Sequence, residues 1–454
     1  MYEPRQPGFA AALLNAPEAG TEAWWRRVAH LGTPLVESAA SGQVRATFLW
    51  RDPHGSRTES PIQRVYADIN GVTDHHSCSP QSLQRLADTD VWHWSVTLEN
   101  DWRGSYCLLP VTEAELPPSF SQDDNERRQQ QREWWCSLSA HAVADPLNVN
   151  MPHHTWGGQP ESSAHMPNAP AQAAWRRVDR GQASAPDAHR LHTFTWRSDT
   201  LGNARRIWLY ATGDSEAPEH RPLAIVLDGQ RWAEQFPLFS ALDEETHGGK
   251  LPPAVWLLID ALDPETRGDE LPCNAAFWSS VQDELLPLAA RHAPFTHDPD
   301  RTLVTGQSYG GLAALYAGLF LPHRFGRVLT QSGSFWWPDL TFITEGESCE
   351  QPGGWLGEQV RLQGRPERPL TIFQEAGHRE ADIELVNRQM HQALTEAGHR
   401  VQFRVYAGGH DALCWRGGLI DGCRWLMAEM TEGTSTPHHM EKGNKYESGT
   451  TKPV

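Results

Sequence analysis

The chain has 454 residues, 39% of them hydrophobic and 21% charged, which is enough for two or three domains with their own cores. A formal charge of −18 argues against nucleic-acid partners, and an anionic ligand would need a local cluster of Arg or His. No run approaches the roughly 18 apolar residues of a membrane span, so no membrane partner is expected.

The first nine residues lack the charged-then-apolar design of a secretory leader. Cysteines stand at 78, 107, 136, 273, 349, 414 and 423 without a CxxC pair, so reduced thiols in a cytoplasmic protein are expected. The His pairs at 75–76, 153–154 and 438–439 lack zinc spacing, and no metal site is expected. With 20 Trp in the chain, some are expected to line a site for a flat ligand and most to sit in the core.

Residues 20–32 read as a helix carrying Trp24, Trp25 and Val28. Short β runs follow at Gln43–Trp50, Ile62–Ile69, Val91–Leu98 and Gly104–Val111, separated by turn residues at spacings of roughly ten. That spacing predicts an all-β sandwich. Residues 116–185 are polar, then rich in Pro, His and Ala, and read as connector. The domain with its connector is placed at 20–165.

A second domain is placed at 186–431. Its strand candidates are Leu191–Trp196, Ala204–Tyr210, Leu223–Leu227, Val255–Ile259, Thr302–Thr305, Arg327–Gln331, Leu370–Gln374 and Val401–Tyr406. Helices are predicted at 277–291, 309–320, 382–397 and 416–430. Alternation of this kind predicts α/β architecture with a mostly parallel sheet, the first two strands forming an antiparallel edge. Residues 432–454 are polar and are expected to be disordered.

An open α/β sheet binds ligands at the carboxyl ends of its strands. Asp228-Gly229-Gln230, the stretch from Asp260 to Arg267, Ser308, the stretch from Glu375 to Glu380, and His410 all fall there. In Gly306-Gln307-Ser308-Tyr309-Gly310 the serine lies between a β-branched run and an apolar helical stretch, the context of a nucleophile elbow. Taken alone, the pattern is also an ordinary Gly-rich turn. A serine hydroxyl needs a base, and His410, after the last strand in Gly408-Gly409-His410-Asp411, stands where the order Ser, acid, His puts it. The acid is expected after the preceding strand. Glu380 is preferred because its loop can swing toward His410, with Glu375 next; Glu380 as a helix-start carboxylate is the plain alternative. The N–H groups of Tyr309 and Gln230 are candidate oxyanion donors. Arg267 and Arg379 are candidate cations for an anionic ligand, or surface arginines paired with nearby carboxylates.

Six strings resemble the enterochelin (enterobactin) esterases, within the esterase-D-like α/β-hydrolases. They are Leu227-Asp228-Gly229-Gln230-Arg231-Trp232, Arg267-Gly268-Asp269-Glu270-Leu271-Pro272-Cys273-Asn274, Gly306-Gln307-Ser308-Tyr309-Gly310-Gly311-Leu312, Gln331-Ser332-Gly333-Ser334-Phe335-Trp336-Trp337-Pro338, Glu375-Ala376-Gly377-His378-Arg379-Glu380, and the stretch from Gly408 to Leu419. The likeness covers most of 190–430. It implies an immunoglobulin-like first domain and cytoplasmic hydrolysis of the trilactone of ferric catecholate siderophores. It puts the nucleophile on Ser308, the base on His410 and the ligand anchor on Arg267, with Asn274 in the same substrate-binding string. A small-molecule substrate and no cofactor are expected. The rivals are an esterase for other acyl esters of feruloyl type, and a non-catalytic siderophore- or carbohydrate-binding protein on the same scaffold.

Overall fold

The computed structural model describes residues 4–339, apart from 76, 78 and 156, and residues 354–430. The tail expected to be disordered lies outside them.

After a short helix at Phe9–Leu14, the predicted helix runs over Glu22–Leu31; it begins where the Thr21 hydroxyl accepts the Trp24 N–H at 3.2 Å, and it buries Trp24, Trp25 and Val28. Eight strands follow: β1 (Leu35–Ser38), β2 (Gln43–Arg51), β3 (Arg64–Ile69), β4 (Gln81–Arg85), β5 (Val91–Glu99), β6 (Arg103–Val111), β7 (His153–His154) and β8 (Pro160–His165). They pair in the order β1-β2-β5-β4-β3-β6-β8-β7, all antiparallel. The sheet folds back at β4, so β2 and β6 face one another across a core. The Phe48 and Tyr106 rings meet edge to face at 4.9 Å, and Val65, Ile69, Leu98 and Leu108 close around them.

The stretch read as connector is more ordered than expected. Asp123 caps a helix at Asp124–Ser137, which lays Trp134 and Trp135 against Tyr66 at 5.4 Å each. Farther on, β8 joins the sheet beside β6, and Trp175 is fully buried. The physical reason is that a few large aromatics anchor this segment. One Trp buries 150–250 Å² without producing any hydrophobic period in the surrounding polar sequence.

The second sheet contains β9 (Leu191–Ser198), β10 (Asn203–Ala211), β11 (Leu223–Val226), β12 (Val255–Ile259), β13 (Thr302–Gln307), β14 (Arg327–Gln331), β15 (Thr371–Gly377) and β16 (Arg400–Tyr406). Its order is β16-β15-β14-β13-β11-β12-β10-β9. Strands β11 to β16 pair in parallel, and β9 and β10 form the antiparallel edge. Alternate side chains serve opposite layers. Ile225, Leu257 and Val304 face the helices Ala275–Ser280, Tyr309–Phe320 and Asp382–Ala397. Val226, Leu258 and Leu303 face Leu238–His247 and Ala412–Met427. The last helix starts four residues before the predicted 416, because the Asp411 carboxylate accepts the Leu413 N–H at 2.9 Å and caps it there.

Candidate active site

Ser308 sits between β13 and the helix Tyr309–Phe320 with φ 57° and ψ −121°. A non-glycine residue pays for that conformation in strain, which the neighbours enforce. The turn is this tight because strand and helix touch: a Cβ on Gly306 would overlap the Gly310 backbone. The Ser308 N–H donates to the Gln331 carbonyl at 3.0 Å, and its own carbonyl accepts from Ser334 N–H at 3.1 Å. The Ser308 hydroxyl is 3.3 Å from the Ser334 hydroxyl and makes no hydrogen bond to His410. Bonds of nucleophile to base often close only around the substrate.

His410 lies in the loop between β16 and the helix Ala412–Met427. Its Nδ1 is 2.6 Å from Glu380 Oε1, and the Trp415 ring meets the imidazole edge to face at 4.6 Å. Glu380 is fully enclosed. Its Oε2 accepts the Ser332 hydroxyl at 2.8 Å and the Gly377 N–H at 2.6 Å, which fixes the carboxyl group in place. The Ser332 hydroxyl is also held by Trp415 Nε1–H at 2.9 Å and lies 3.1 Å from the Tyr406 hydroxyl. Burial, with the nearby Glu380 charge, pushes the Tyr406 phenol well above its ordinary range, so that group stays neutral.

The other two carboxylates at these strand ends have different partners. Glu375 is fully buried, 2.6 Å from Arg404 and 2.5 Å from the Gln331 amide; burial raises its pKa against the pull of Arg404. Asp411 faces away from the imidazole. It accepts the backbone N–H of Ser105 at 2.5 Å and the Ser105 hydroxyl at 2.8 Å.

Tyr309 is the first residue of its helix, so its N–H has no carbonyl four residues back to bond. Gln230 follows Asp228, itself at φ 56°, and its side-chain oxygen accepts the Ala261 N–H at 3.0 Å. Both donor candidates therefore follow the carboxyl ends of adjacent parallel strands, β11 and β13.

Arg267 is where the arrangement departs most from a free ligand anchor. Its Nε and Nη2 donate to the two Asp228 oxygens at 2.7 and 2.8 Å, and Nη2 also reaches the Gln307 carbonyl at 3.2 Å. Burial works against its charge, but Asp228 more than offsets this and raises the guanidinium pKa. Its ion-pair partner Asp228 lies on the turn after β11 and not beside Arg267 in the sequence. Arg267 thus ties the turn after β11 to the end of β13, with the Tyr309 ring 5.8 Å from the guanidinium. Arg379 is paired with Glu99 at 2.8 Å and reaches the Gly71 carbonyl at 3.4 Å. Asn274 caps the helix Ala275–Ser280, accepting Phe277 N–H at 3.1 Å and donating to Asp269 C=O at 3.1 Å.

Several residues around this site carry no sequence signal of their own. Ser332, Ser334 and Trp415 fall within the strings quoted above without any pattern that marks them as site residues, and Tyr406 reads as the end of a strand. Asn70 and Ser105 lie in the first domain, more than 300 positions from His410. Among the described residues no cluster of three or more His, Cys, Asp or Glu could hold a metal ion.

A mostly parallel sheet carrying a strained serine elbow and a Glu-paired histidine on a later loop defines an esterase of the α/β class. Residues 45–175 match the family model described as enterochelin esterase, N-terminal, and residues 198–426 match that of a putative esterase. The chain is 66% identical to the iron(III) enterobactin esterase of Dickeya dadantii, over 92% of this chain and 96% of that one. The ferric enterobactin esterase of Salmonella typhimurium superposes with a TM-score of 0.82 at 45% identity, covering 90% and 99% of the two chains. A structure of the Shigella flexneri enterobactin esterase in the presence of enterobactin matches at TM-score 0.76 and 43% identity, covering 91% and 100%. The chain belongs to the iron(III) enterobactin esterase family and is a carboxylic ester hydrolase.

Proposed function

We propose that this enzyme hydrolyses the trilactone ester bonds of enterobactin-type catecholate siderophores, ferric or iron-free, with Ser308, His410 and Glu380 as its triad. The observation that carries the reading is the 2.6 Å bond from His410 to a buried, doubly hydrogen-bonded Glu380 beside the Ser308 elbow, in a chain 66% identical to an iron(III) enterobactin esterase.

Ser308 Oγ attacks a lactone carbonyl while His410 takes its proton. Glu380 holds Nδ1 and stabilises the imidazolium. The developing oxyanion is met by the N–H groups of Tyr309 and Gln230. Collapse expels the ring's serine oxygen, which receives the proton from His410, and water then releases the acyl group by the same route. The products are linear dihydroxybenzoylserine chains, which hold iron less tightly than the closed ring. Arg267 serves the site through Asp228 and the Gln307 carbonyl, and offers its flank beside Tyr309 to a catecholate. Arg379 and Asn274 are assigned to the mouth of the site, where both also hold protein partners.

An immunoglobulin-like arrangement of the first domain is part of the proposal, supported by the way β2 and β6 enclose one core. So is a cytoplasmic location. Five cysteines, at 107, 136, 273, 414 and 423, are unpaired, and no described helix is long and apolar enough to cross a membrane.

Product analysis with ferric and iron-free enterobactin tests the function. Linear oligomers of dihydroxybenzoylserine are expected, and Ser308→Ala should lose about 10³-fold or more in kcat while still binding the siderophore. Turnover of p-nitrophenyl esters without cleavage of the trilactone would reject the substrate assignment.

A further inference from the structure

We propose that the N-terminal β domain positions the catalytic base, with Asn70 and Ser105 holding the loop Ala407–Asp411 in place. The inference rests on His410 being the base, and it assigns these residues a role in the chemical step without contact to substrate.

The loop carries two consecutive glycines, Gly408 and Gly409, just before His410, so its backbone has little intrinsic preference. Inside the esterase domain the His410 ring is held by Glu380 on one side and by the Trp415 edge on another, and about a third of its side chain stays exposed. Within that domain Arg379 N–H also donates to the Gly408 carbonyl at 3.0 Å and the Tyr406 hydroxyl to the Gly409 carbonyl at 3.1 Å, and the other domain adds further contacts. Arg103 N–H donates to the Ala407 carbonyl at 3.0 Å. Asn70 Nδ2–H donates to the carbonyl of His410 itself at 3.1 Å. Ser105 gives two hydrogen bonds to Asp411, the residue that also caps the following helix.

Gly71, at φ +69°, lies against the Gly409 backbone so closely that a Cβ there would come within 3.0 Å of the Gly409 Cα. The loop that carries Glu380 is tethered in the same way, through Arg379 to Glu99 and the Gly71 carbonyl. Both halves of the His–Glu pair are thus registered against the β domain.

A shift of about 1 Å in a reacting group can cost on the order of 10²-fold in rate. Asn70 is the first-domain residue that bonds the backbone of His410 itself. Its Oδ1 is buried without a donor among the described residues, so the Nδ2–H bond to His410 is the amide's anchor. Removing it frees the carbonyl of the base while leaving the ring, Glu380 and Ser308 intact.

The test compares Asn70→Ala with wild type in the full-length enzyme on p-nitrophenyl acetate and on enterobactin. Phosphonylation of Ser308 by a fluorophosphonate is followed alongside; it forms the Oγ–P bond, expels fluoride and passes the serine proton to the base. The expected result is a fall of about tenfold in kcat on both esters with KM unchanged. Ser308 labelling should slow by the same factor, and the melting temperature should stay within a few degrees. Glu99→Ala, at a partly exposed site that pairs with Arg379, should give a smaller loss of the same kind, again with little change in melting temperature. Wild-type kcat and labelling rate in Asn70→Ala would overturn the proposal. A rise in KM for enterobactin alone would overturn it too, because Asn70 would then be a ligand contact. His410→Ala separates the premises: if that variant keeps its activity the base is misassigned, whereas an inactive His410→Ala beside a fully active Asn70→Ala rejects only the positioning role.

Discussion

Two glutamates at the end of β15 differ in reach, and their environments divide the work. Glu380 meets the imidazole at 2.6 Å, while Glu375 points into the sheet at Arg404 and Gln331. Glu380→Gln should therefore lower kcat by about 10²-fold with little change in stability, since an amide orients the base but stabilises its cation poorly. Glu375→Gln should keep kcat and cost about 1–3 kcal/mol of stability by weakening a buried charged hydrogen bond. Steady-state kinetics and urea unfolding of the two variants check this, and the reverse pattern would move the acid to Glu375. Arg267 is the other residue whose role depends on its partner. With its fork on Asp228 and the Gln307 carbonyl, Arg267→Met should slow a small neutral ester by tenfold or more as well as the siderophore. A loss confined to the charged substrate would restore a pure anchoring role.

Among the elements, the junction of the helix Asp382–Ala397 with β16 carries a pH-sensitive tie. His399 follows the Gly398 cap, and its Nδ1 accepts the Leu370 N–H at 3.0 Å, which only the neutral ring can do. Burial lowers its pKa to about 4 from an ordinary 6.5. The folded state thus binds fewer protons than the unfolded state between these values. The stabilisation is complete above about pH 6.5 and is lost as pH falls toward 4, a change of about 2–3 kcal/mol. Urea unfolding at pH 7.5 and pH 4.5 should show that loss in wild type and a flatter profile in His399→Gln. Equal pH dependence in the two proteins would remove His399 as the cause.

For the whole molecule the relevant quantity is charge. At −18 the enzyme repels a ferric tris-catecholate, which is itself anionic, and Arg267 is already neutralised locally by Asp228. Salt screens such repulsion over about 8–10 Å. The kcat/KM for the ferric siderophore should rise a few-fold between about 10 and 150 mM salt, while that for p-nitrophenyl acetate stays level. A fall with salt would mean that a local cationic field dominates the approach.

The elbow, the alternation of strand and helix, and the placement of Glu380 and His410 at strand ends were legible from the sequence. Each is written in local terms: Gly306 and Gly310 around a serine, β-branched runs of five residues, glycines ahead of a histidine. The edge pair β9–β10 and the last helix were legible for the same reason, although the helix starts at Ala412 because Asp411 caps it. What sequence could not supply were partners far apart in the chain. That Asp228 takes both prongs of Arg267 and that Glu375 turns to Arg404 on the next strand are outcomes of packing within the second domain, and that Ser105 and Asn70 reach the base loop is an outcome of packing the two domains together. The order within residues 116–185 belongs with them, because Trp134, Trp135 and Trp175 bury themselves one at a time and leave no period to read. Local residue chemistry determined which groups could react; only the tertiary structure decided which of them are held still, because hydrogen-bond partners are chosen by proximity in space and not along the chain.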